Sequence, residues 1–340
     1  MPKERLVQFT DSGFYVPQAN AYIDPWKPVN KAIITHAHAD HSRPGSQQYI
    51  CTPMTEPVLR YRLQTQASTS YSYGETFFIN GVQFSFHPAG HIIGSAQVRI
   101  EYKGEIWVLS GDYKTQADGF IPAFEPIKCH HFVTESTFGL PVFSWKTNDV
   151  LSEEINNWWS ANQAENKPSL LLGYSLGKAQ RLLCMVDPKI GPIYTHGAVE
   201  NINKVLRESG YDLPNTTYLS KEIKKSALGQ ALIIAPPSAA GSTWVRRLGT
   251  HRSAMASGWM QLRGARRRRG SDTGFIVSDH ADWNGLLDAI KATEASHVYV
   301  THGYTDIFTK YLIEKGYDAH VVSTEYEGEL AEIQQPVEAE

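Results

Sequence analysis

The chain has 340 residues, 41% hydrophobic and 20% charged, which is the composition of an ordinary globular protein that can bury a large core. Its net charge of -3 excludes a molecule that is basic throughout, so a nucleic-acid partner would need a local basic patch. Three widely spaced cysteines exclude a disulfide framework, and neither a signal peptide nor a long apolar run is visible. We therefore expect a soluble, cytoplasmic protein without a membrane partner.

The predicted elements change in character along the chain. The first third alternates β-branched apolar runs with Gly and Pro turns, as in KAIITH and TFFINGVQFSFH, which predicts a sheet-rich region. From about Leu151, amphipathic helices such as EEINNWWSANQA alternate with strands such as SLLLGY, which predicts α/β units with parallel strands. After Gly270, strand-like apolar runs such as FIVSDH and HVYVTHG return. We expect an α/β protein with a core from 1–137 and 271–330, an inserted domain at 138–270 and a polar tail at 331–340.

The segment THAHADH, residues 35–41, carries the strongest chemical signal. It follows an apolar strand, and functional side chains collect where a rigid strand passes into a loop. His36 and His38 point the same way on extended backbone, whereas Asp40 and His41 belong to the following turn. Imidazole and carboxylate suit zinc, and also manganese or iron. One such histidine alone would be interpreted as a packed or surface residue, but four ligand-type side chains within six positions predict a metal site.

More distant ligands must complete the coordination. In PAGHIIGS we prefer His91 over His87, because the flanking Gly90 lets the backbone come close to a metal. In LSGDYK, Asp112 follows a strand, and a carboxylate can bridge two cations. HVYVTHG and GPIYTHG are nearly the same, so His302 and His196 compete for one role. We favour His302, since it lies after Gly270, in the part of the chain whose strand-like pattern matches that of the core.

These residues predict a two-metal centre. His36, His38, His91 and Asp112 would bind one ion, and the other ion would take the following side chains: Asp40, His41, Asp112 and His302. Two neighbouring divalent ions, zinc or else manganese, can hold a hydroxide and stabilise charge on a phosphoryl oxygen. Asp24 is expected to orient a ligand histidine, although a turn-forming Asp before Pro25 is the alternative.

Two further residues are predicted to transfer protons. Glu135 follows a strand in VTESTFG, and His280 follows another in FIVSDHADW. A buried carboxylate beside an imidazole favours the protonated imidazole, so we expect His280 to act as general acid and Glu135 to orient it. The alternative is structural, with Asp279 capping a helix and His280 packed.

The motifs HAHADH, PAGHIIGS, LSGDYK, TESTFG, SLGKAQ, SDHADW and VTHG, in this order, resemble those of the β-CASP branch of metallo-β-lactamase-fold nucleases. The resemblance spans Asp24 to His302 and implies an αββα sandwich with an inserted α/β β-CASP domain that clamps nucleic acid over the metals. HxHxDH alone is shared with glyoxalase-II-like and lactamase-like hydrolases. The size and SDHADW look most similar to bacterial ligase-associated DNA exonucleases, relatives of the cross-link repair nucleases. His302 departs from many eukaryotic cross-link repair members, which lack this histidine, and is shared with the RNA-processing branch.

Substrate contacts are expected in two places. The turn at Gly177, aided by Ser175 and Lys178, could bind a phosphate at a helix start, although Lys178 replaces the Arg of the common GRAQ. A glycine turn with no ligand is the alternative. The basic patch that the near-neutral composition requires is the run formed by Arg266, Arg267, Arg268 and Arg269. The tryptophans Trp244 and Trp259 lie nearby in sequence and favour strand binding over a merely solvated loop.

The resemblance thus implies DNA repair by a 5′-to-3′ exonuclease that prefers single strands, associated in function with a DNA ligase and a helicase. An RNA-processing endo- or exoribonuclease would use the same metal centre, because discrimination by a 2′-hydroxyl rests on one or two contacts. An inactive scaffold subunit is disfavoured, since every expected ligand is present. The insertion and the arginine patch oppose a thioester or lactam hydrolase.

Overall fold

A computed structural model of the chain describes residues 5–264 and 271–326. These residues form a mixed α/β architecture with two compact units. Of the described residues, the first unit contains those up to Ser144 and those from His280 to Tyr326, and the second contains those of Trp145–Asp279. Both boundaries lie later than the expected 138 and 270. Phe138 and Phe143 pack edge to face within the first unit, and residues 273–275 add a strand to the sheet of the second.

The first unit contains a sheet of six short strands whose spatial order follows the chain. The first three strands pair antiparallel and the later ones parallel. Strands are numbered along the chain, and those of this sheet are β1 (Gln8–Thr10), β2 (Gly13–Val16), β3 (Ala21–Ile23), β4 (Lys31–Ile33), β5 (Gln48–Cys51) and β6 (Ser68–Ser70).

A second sheet of seven strands joins the two ends of the chain. Its members are β7 (Thr76–Ile79), β8 (Val82–Pro88), β9 (Ala96–Tyr102), β10 (Glu105–Leu109), β11 (His131–Ser136), β18 (His297–Gly303) and β19 (Ala319–Val321). Their order is β19-β18-β11-β10-β9-β8-β7. Strands β7 to β10 pair antiparallel, while β10, β11, β18 and β19 are parallel. The late strand β18 thus lies beside β11.

Alternating side chains give each sheet two buried faces. In the first sheet, Ile33 joins the apolar cluster shared with the second sheet, whereas Ala32 joins a cluster with Leu59 of helix α1 (Thr55–Leu63). In β10, Trp107 points into the shared cluster and Val108 into another one. That other cluster contains side chains of helices α6 (Trp283–Thr293) and α7 (Thr305–Glu314). This period of two is the expected pattern of a strand buried on both faces.

The second unit has its own sheet and cores. Its strands, in the spatial order β14-β13-β15-β12-β16-β17, are parallel throughout. The strands β12 and β15 are fully buried, as parallel strands covered on both faces are. The elements are α2 (Asn148–Ala164), β12 (Ser169–Leu172), α3 (Lys178–Met185), β13 (Ile193–Thr195), α4 (Gly197–Glu208), β14 (Thr217–Tyr218), β15 (Leu232–Ala235), α5 (Thr243–Arg246), β16 (Arg252–Ala256) and β17 (Thr273–Phe275).

Parallel pairing brings ligand-type side chains to one edge of the second sheet. Glu135 lies near the end of β11 opposite Thr301 of β18, next to His302. Asp112 follows the end of β10, which pairs parallel with β11. Because parallel strands end at the same edge, these three side chains meet there. Among the described helices, none combines the length and apolar character needed to cross a bilayer.

Candidate metal centre

Three histidines and one aspartate converge in a buried cluster. The Nδ1 atom of His38 lies 3.1 Å from Nε2 of His36 and 3.1 Å from Nε2 of His91. Oδ2 of Asp112 lies 3.7 Å from the first and 3.8 Å from the second of these Nε2 atoms. Ligand atoms around a tetrahedral zinc, with bonds of about 2.0–2.1 Å, lie roughly 3.3 Å apart. The spacing of these four side chains therefore suits one divalent ion.

A second group meets the other oxygen of the same carboxylate. Oδ1 of Asp112 lies 3.6 Å from Nε2 of His41 and 3.3 Å from Nδ1 of His302. Asp40 is 4.0 Å from His41. The Nε2 atom of His41 and the Nδ1 atom of His302 are buried, and neither forms a hydrogen bond of good geometry with a described residue. Buried nitrogens without partners are costly, and a bound cation would satisfy them.

The carboxylate of Asp112 thus lies between the two groups of imidazoles, with one oxygen facing each. Two histidine-rich groups that share a carboxylate form a donor set suited to a pair of divalent ions. Six of the seven residues expected as metal ligands belong to these two groups, and the seventh, Asp40, lies 4.0 Å from His41.

The electrostatics differ between the two groups of imidazoles. Burial lowers the pKa of His41, but the carboxylates of Asp112, Asp40 and Asp24 outweigh it and raise the pKa to about 10. Burial would raise the pKa of Asp112, yet the neighbouring imidazoles of His41 and His302 hold it well below its usual range. For His36, burial and the surrounding imidazoles both lower the pKa, which keeps a neutral ring suited to metal ligation.

Asp24 fixes the orientation of His41. Its Oδ2 accepts a hydrogen bond from Nδ1 of His41 at 2.8 Å, and its carboxylate also accepts from the backbone and hydroxyl of Thr35. The Nε2 atom of His41 is thereby directed towards Asp112. Asp24 and His302 both adopt left-handed backbone, with φ of 42° and 53°. Strained backbone of this kind collects at functional sites.

His280 and Glu135 form a buried pair beside the metal cluster. Nδ1 of His280 lies 2.8 Å from Oε2 and 2.9 Å from Oε1 of Glu135. The carboxylate also accepts from the backbone of Tyr113 and from the hydroxyl of Thr137. The His280 ring lies 4.6 Å from the His91 ring. The cap of helix α6 is Asp282, whose side chain accepts from a backbone amide, so Asp279 does not have that role.

The competing histidines lie elsewhere. His87 lies on strand β8, where it contacts Ser85 and lies 3.7 Å from Glu125. His196 is the N-terminal cap of helix α4, where its Nδ1 accepts from Ala198. Neither residue belongs to the described groups that could hold a metal.

The expected phosphate contacts in SLGKAQ have internal partners. Lys178 is fully buried, donates to the carbonyl of Val277 and lies 2.9 Å from Asp279. The backbone amide of Gly177 donates to Gln180. In this arrangement the ammonium of Lys178 and the amide of Gly177 both interact with groups of the second unit. The stretch Arg266–Arg269 lies outside the described residues.

Sequence patterns did not identify Tyr326 as part of this site. Its ring stacks on His41 at 4.2 Å, and its hydroxyl donates to the backbone carbonyl of Asp24. Burial and the nearby carboxylates raise its pKa well above the usual value, so the hydroxyl stays protonated. It stands in the segment STEYEG, which has no ligand spacing and no periodic pattern.

Curated proteins that resemble the chain include a probable DNA ligase of Opitutus terrae, 30% identical over 325 residues that cover 94% of this chain and 31% of the ligase. An RNase J-like protein of Methanocaldococcus jannaschii is 24% identical over 51% of this chain and 48% of its own length. Endoribonuclease YSH1 of Saccharomyces cerevisiae is 27% identical over 34% of this chain and 15% of its own. The similarity supports the β-CASP metallo-β-lactamase family. It leaves the subtype open, because the chain spans less than half the length of each of these relatives.

Comparison of folds gives an independent likeness. A solved structure of a protein of unknown function from Enterococcus faecalis matches 87% of this chain and 80% of its own with a TM-score of 0.62. At 10% identity this match shows a shared fold alone. No family profile matches the chain.

Proposed function

We propose that the chain is a metal-dependent phosphodiesterase that hydrolyses nucleic acid. The Asp112 carboxylate supports this most strongly, because its two oxygens face two groups of histidines. The fold assigned to this activity is an αββα metallo-β-lactamase sandwich. The first unit would supply the sandwich, and the second unit, Trp145–Asp279, would be the β-CASP insertion.

Two divalent ions are assigned to the centre, zinc first and manganese second. His36, His38, His91 and Asp112 would hold one ion, and the other would be held by the following side chains: Asp40, His41, Asp112 and His302. When bound, such a pair supplies a nucleophile at neutral pH and stabilises negative charge on the phosphoryl group. The protein's part is to fix the ligands, which Asp24 does for His41 through its hydrogen bond.

His280 is the proposed general acid. Glu135 accepts at Nδ1 of the imidazole, which leaves Nε2 as the atom that carries the transferable proton. Donation of this proton to the leaving oxygen of the phosphodiester avoids an alkoxide leaving group. Burial of the pair excludes water that would compete for the proton.

DNA is the preferred substrate in this proposal. The similarity to a probable DNA ligase covers nearly the whole chain and favours a DNA-processing role, with a DNA ligase and a helicase as partners in repair. We assign 5′-to-3′ exonuclease action on single strands in the cytoplasm. Ser175 and the arginine run Arg266–Arg269 are the proposed substrate contacts, whereas Gly177 and Lys178 are left out because their donors have partners inside the second unit. Similarity to ribonucleases makes RNA processing the second candidate.

The test combines a metal count with cleavage of end-labelled DNA and RNA oligonucleotides of matched sequence. Wild-type protein is expected to bind two ions and to degrade the DNA faster, releasing products from the 5′ end. Asp112→Ala should lose metal and activity together, whereas Glu75→Ala, an exposed acidic residue on the same unit, should retain both. Faster cleavage of RNA would select the ribonuclease, and equal cleavage by Asp112→Ala would reject the mechanism.

A further inference from the structure

A small pocket lies in the second unit, outside the metal centre. Its volume is about 150 Å³. This is below the roughly 300 Å³ at which pockets hold drug-sized ligands, so it suits one compact group. Eight side chains line it: Leu219, Lys221, Ile223, Lys225, Leu228, Trp244, Arg247 and Leu248.

The polar side of this pocket is purely cationic. Lys221, Lys225 and Arg247 line it, and no acidic side chain does so in the described part of the chain. None of the three forms an ion pair with a described carboxylate. By contrast, Arg252 of the same unit pairs with Glu165 at 2.9 Å. Unneutralised cations around one cavity attract an anion.

Arg247 is held in position by the protein. Its guanidinium donates to the backbone carbonyl of Ser220 at 3.1 Å, which ties the end of helix α5 to the segment that carries Lys221. A guanidinium has five N–H donors, and this contact uses one of its groups. The remaining donors can bind phosphate oxygens in the planar arrangement that arginine favours.

The other side of the pocket is apolar and rigid. Leu219, Leu228 and Leu248 are buried members of one apolar cluster, against which Trp244 packs. The indole of Trp244 also meets the ring of His196 edge to face at 4.7 Å. A fixed indole is a platform on which a nucleobase can stack. A bare phosphate would not use this side, and an apolar ligand would not use the cations.

We propose that this pocket binds part of one nucleotide of a nucleic-acid strand, with the phosphate between Lys221, Lys225 and Arg247, the edge of the base against Trp244 and the rest of the nucleotide outside the pocket. The inference rests on the proposed function, since the strand is the substrate of the metal centre. It assigns strand binding to described residues of the second unit in addition to the arginine run.

The test uses metal-free protein, which cannot cleave, and fluorescence anisotropy with a labelled single-stranded DNA oligonucleotide across a salt series. The double variant Lys221→Ala/Lys225→Ala should weaken binding, and the steepness of log K against log salt should fall by about 1.4, at roughly 0.7 for each phosphate that a lysine neutralises on a single strand. Both lysines are exposed, so folding should persist. Trp244→Leu should weaken binding at least about fivefold with little change in slope.

A matched control removes two exposed lysines of the same unit that do not line the pocket, Lys189 and Lys204, by Lys189→Ala/Lys204→Ala. Its salt dependence should be steeper than that of the pocket variant. Equal slopes for the two double variants would overturn the pocket assignment. Hydrolysis of bis-p-nitrophenyl phosphate by metal-loaded wild-type protein tests the metal centre separately. Its absence would count against the proposed function, while the binding data alone decide on the pocket.

Discussion

Tyr326 lies flat against His41, with ring centroids 4.2 Å apart and ring planes 11° from parallel. Its hydroxyl donates to the carbonyl of Asp24, and the side chain of Asp24 in turn holds Nδ1 of the same imidazole. One tyrosine and one aspartate therefore restrain the face and the edge of a predicted metal ligand.

Removing this tyrosine should weaken metal binding. Tyr326→Ala frees the face of His41, and changes beside ligand residues typically reduce metal affinity or activity about 10–100-fold. We expect a loss of this size for the ion assigned to His41, measured by competition with a chelating dye. Tyr326→Phe keeps the ring and should stay close to wild type. Equal losses in both variants would mean that the hydroxyl, and not stacking, restrains the imidazole.

If His280 donates a proton to the leaving group, the loss of kcat on its removal should depend on how much that group needs a proton. His280→Ala should lower kcat for an oligonucleotide by about 10²–10⁴, the usual contribution of general acid–base catalysis. With a p-nitrophenyl phosphodiester the loss should be much smaller, because p-nitrophenolate leaves without a proton. Comparing kcat for the two substrates measures this difference.

Glu135→Gln is the companion variant for that prediction. The amide keeps the shape of the side chain but removes the negative charge that faces Nδ1 of His280. It should show the same dependence on the leaving group in weaker form. Equal losses for both substrates in both variants would contradict the general-acid assignment and indicate a positioning role.

The turn before His91 leaves no room for a side chain, so adding one methyl group there should lower the stability of the protein. Gly90 has φ of 74°, and a Cβ there would lie 2.3 Å from the carbonyl oxygen of Lys114. Gly90→Ala should therefore lower the midpoint of thermal unfolding markedly, since left-handed backbone alone costs roughly 1–2 kcal/mol before the clash is counted. Gly74→Ala has a similar φ of 76° but no atom within 4 Å, so it isolates the backbone cost. Equal midpoints for the two variants would contradict the close approach.

The stability of the second unit should depend strongly on one buried carboxylate, that of Asp279. Asp279 pairs with Lys178 at 2.9 Å and with Arg181 at 2.6 Å, and all three side chains are buried. Asp279→Ala leaves two cations without this anion, which typically destabilises by about 3–5 kcal/mol. Urea unfolding monitored by tryptophan fluorescence measures the loss.

The control for that prediction is an exposed ion pair. Glu208 lies 3.9 Å from Lys204 on helix α4, and both side chains are largely in solvent. Glu208→Ala should change the urea midpoint little, because exposed pairs contribute little to stability. A loss as large as that of Asp279→Ala would show that burial does not set the difference.

The candidate metal-binding groups could be anticipated from sequence because several of their residues closely follow an apolar strand. His36 follows β4 of the first sheet and Asp112 follows β10 of the second, and functional side chains collect where a rigid strand passes into a loop. Residues whose role depends on long-range pairing were less visible. Lys178 was expected to face a phosphate, yet its partner Asp279 comes from a segment far along the chain. Lysine is almost never fully buried unless it is paired, and a local pattern cannot reveal the partner.

The same limit applies to surface charge and to Tyr326. Arg252 pairs with Glu165, which precedes the neighbouring strand β12. Strand register decides which charges neutralise each other, and sequence spacing does not give it. Tyr326 reaches His41 only because β19 places the chain beside the metal cluster, so no pattern around position 326 identifies it.

The first unit draws its described residues from two separate stretches of the chain, whereas the described residues of the second unit all come from the part between them. During synthesis, at about 5–20 residues per second, the second unit can fold while part of the first is still missing. His302 and Tyr326 emerge after the second unit, so the histidines of the earlier stretch have no contact with them until then. Nascent chains that stop before these residues would therefore carry an incomplete centre, and the proposed nuclease would stay inactive until the ribosome has passed them.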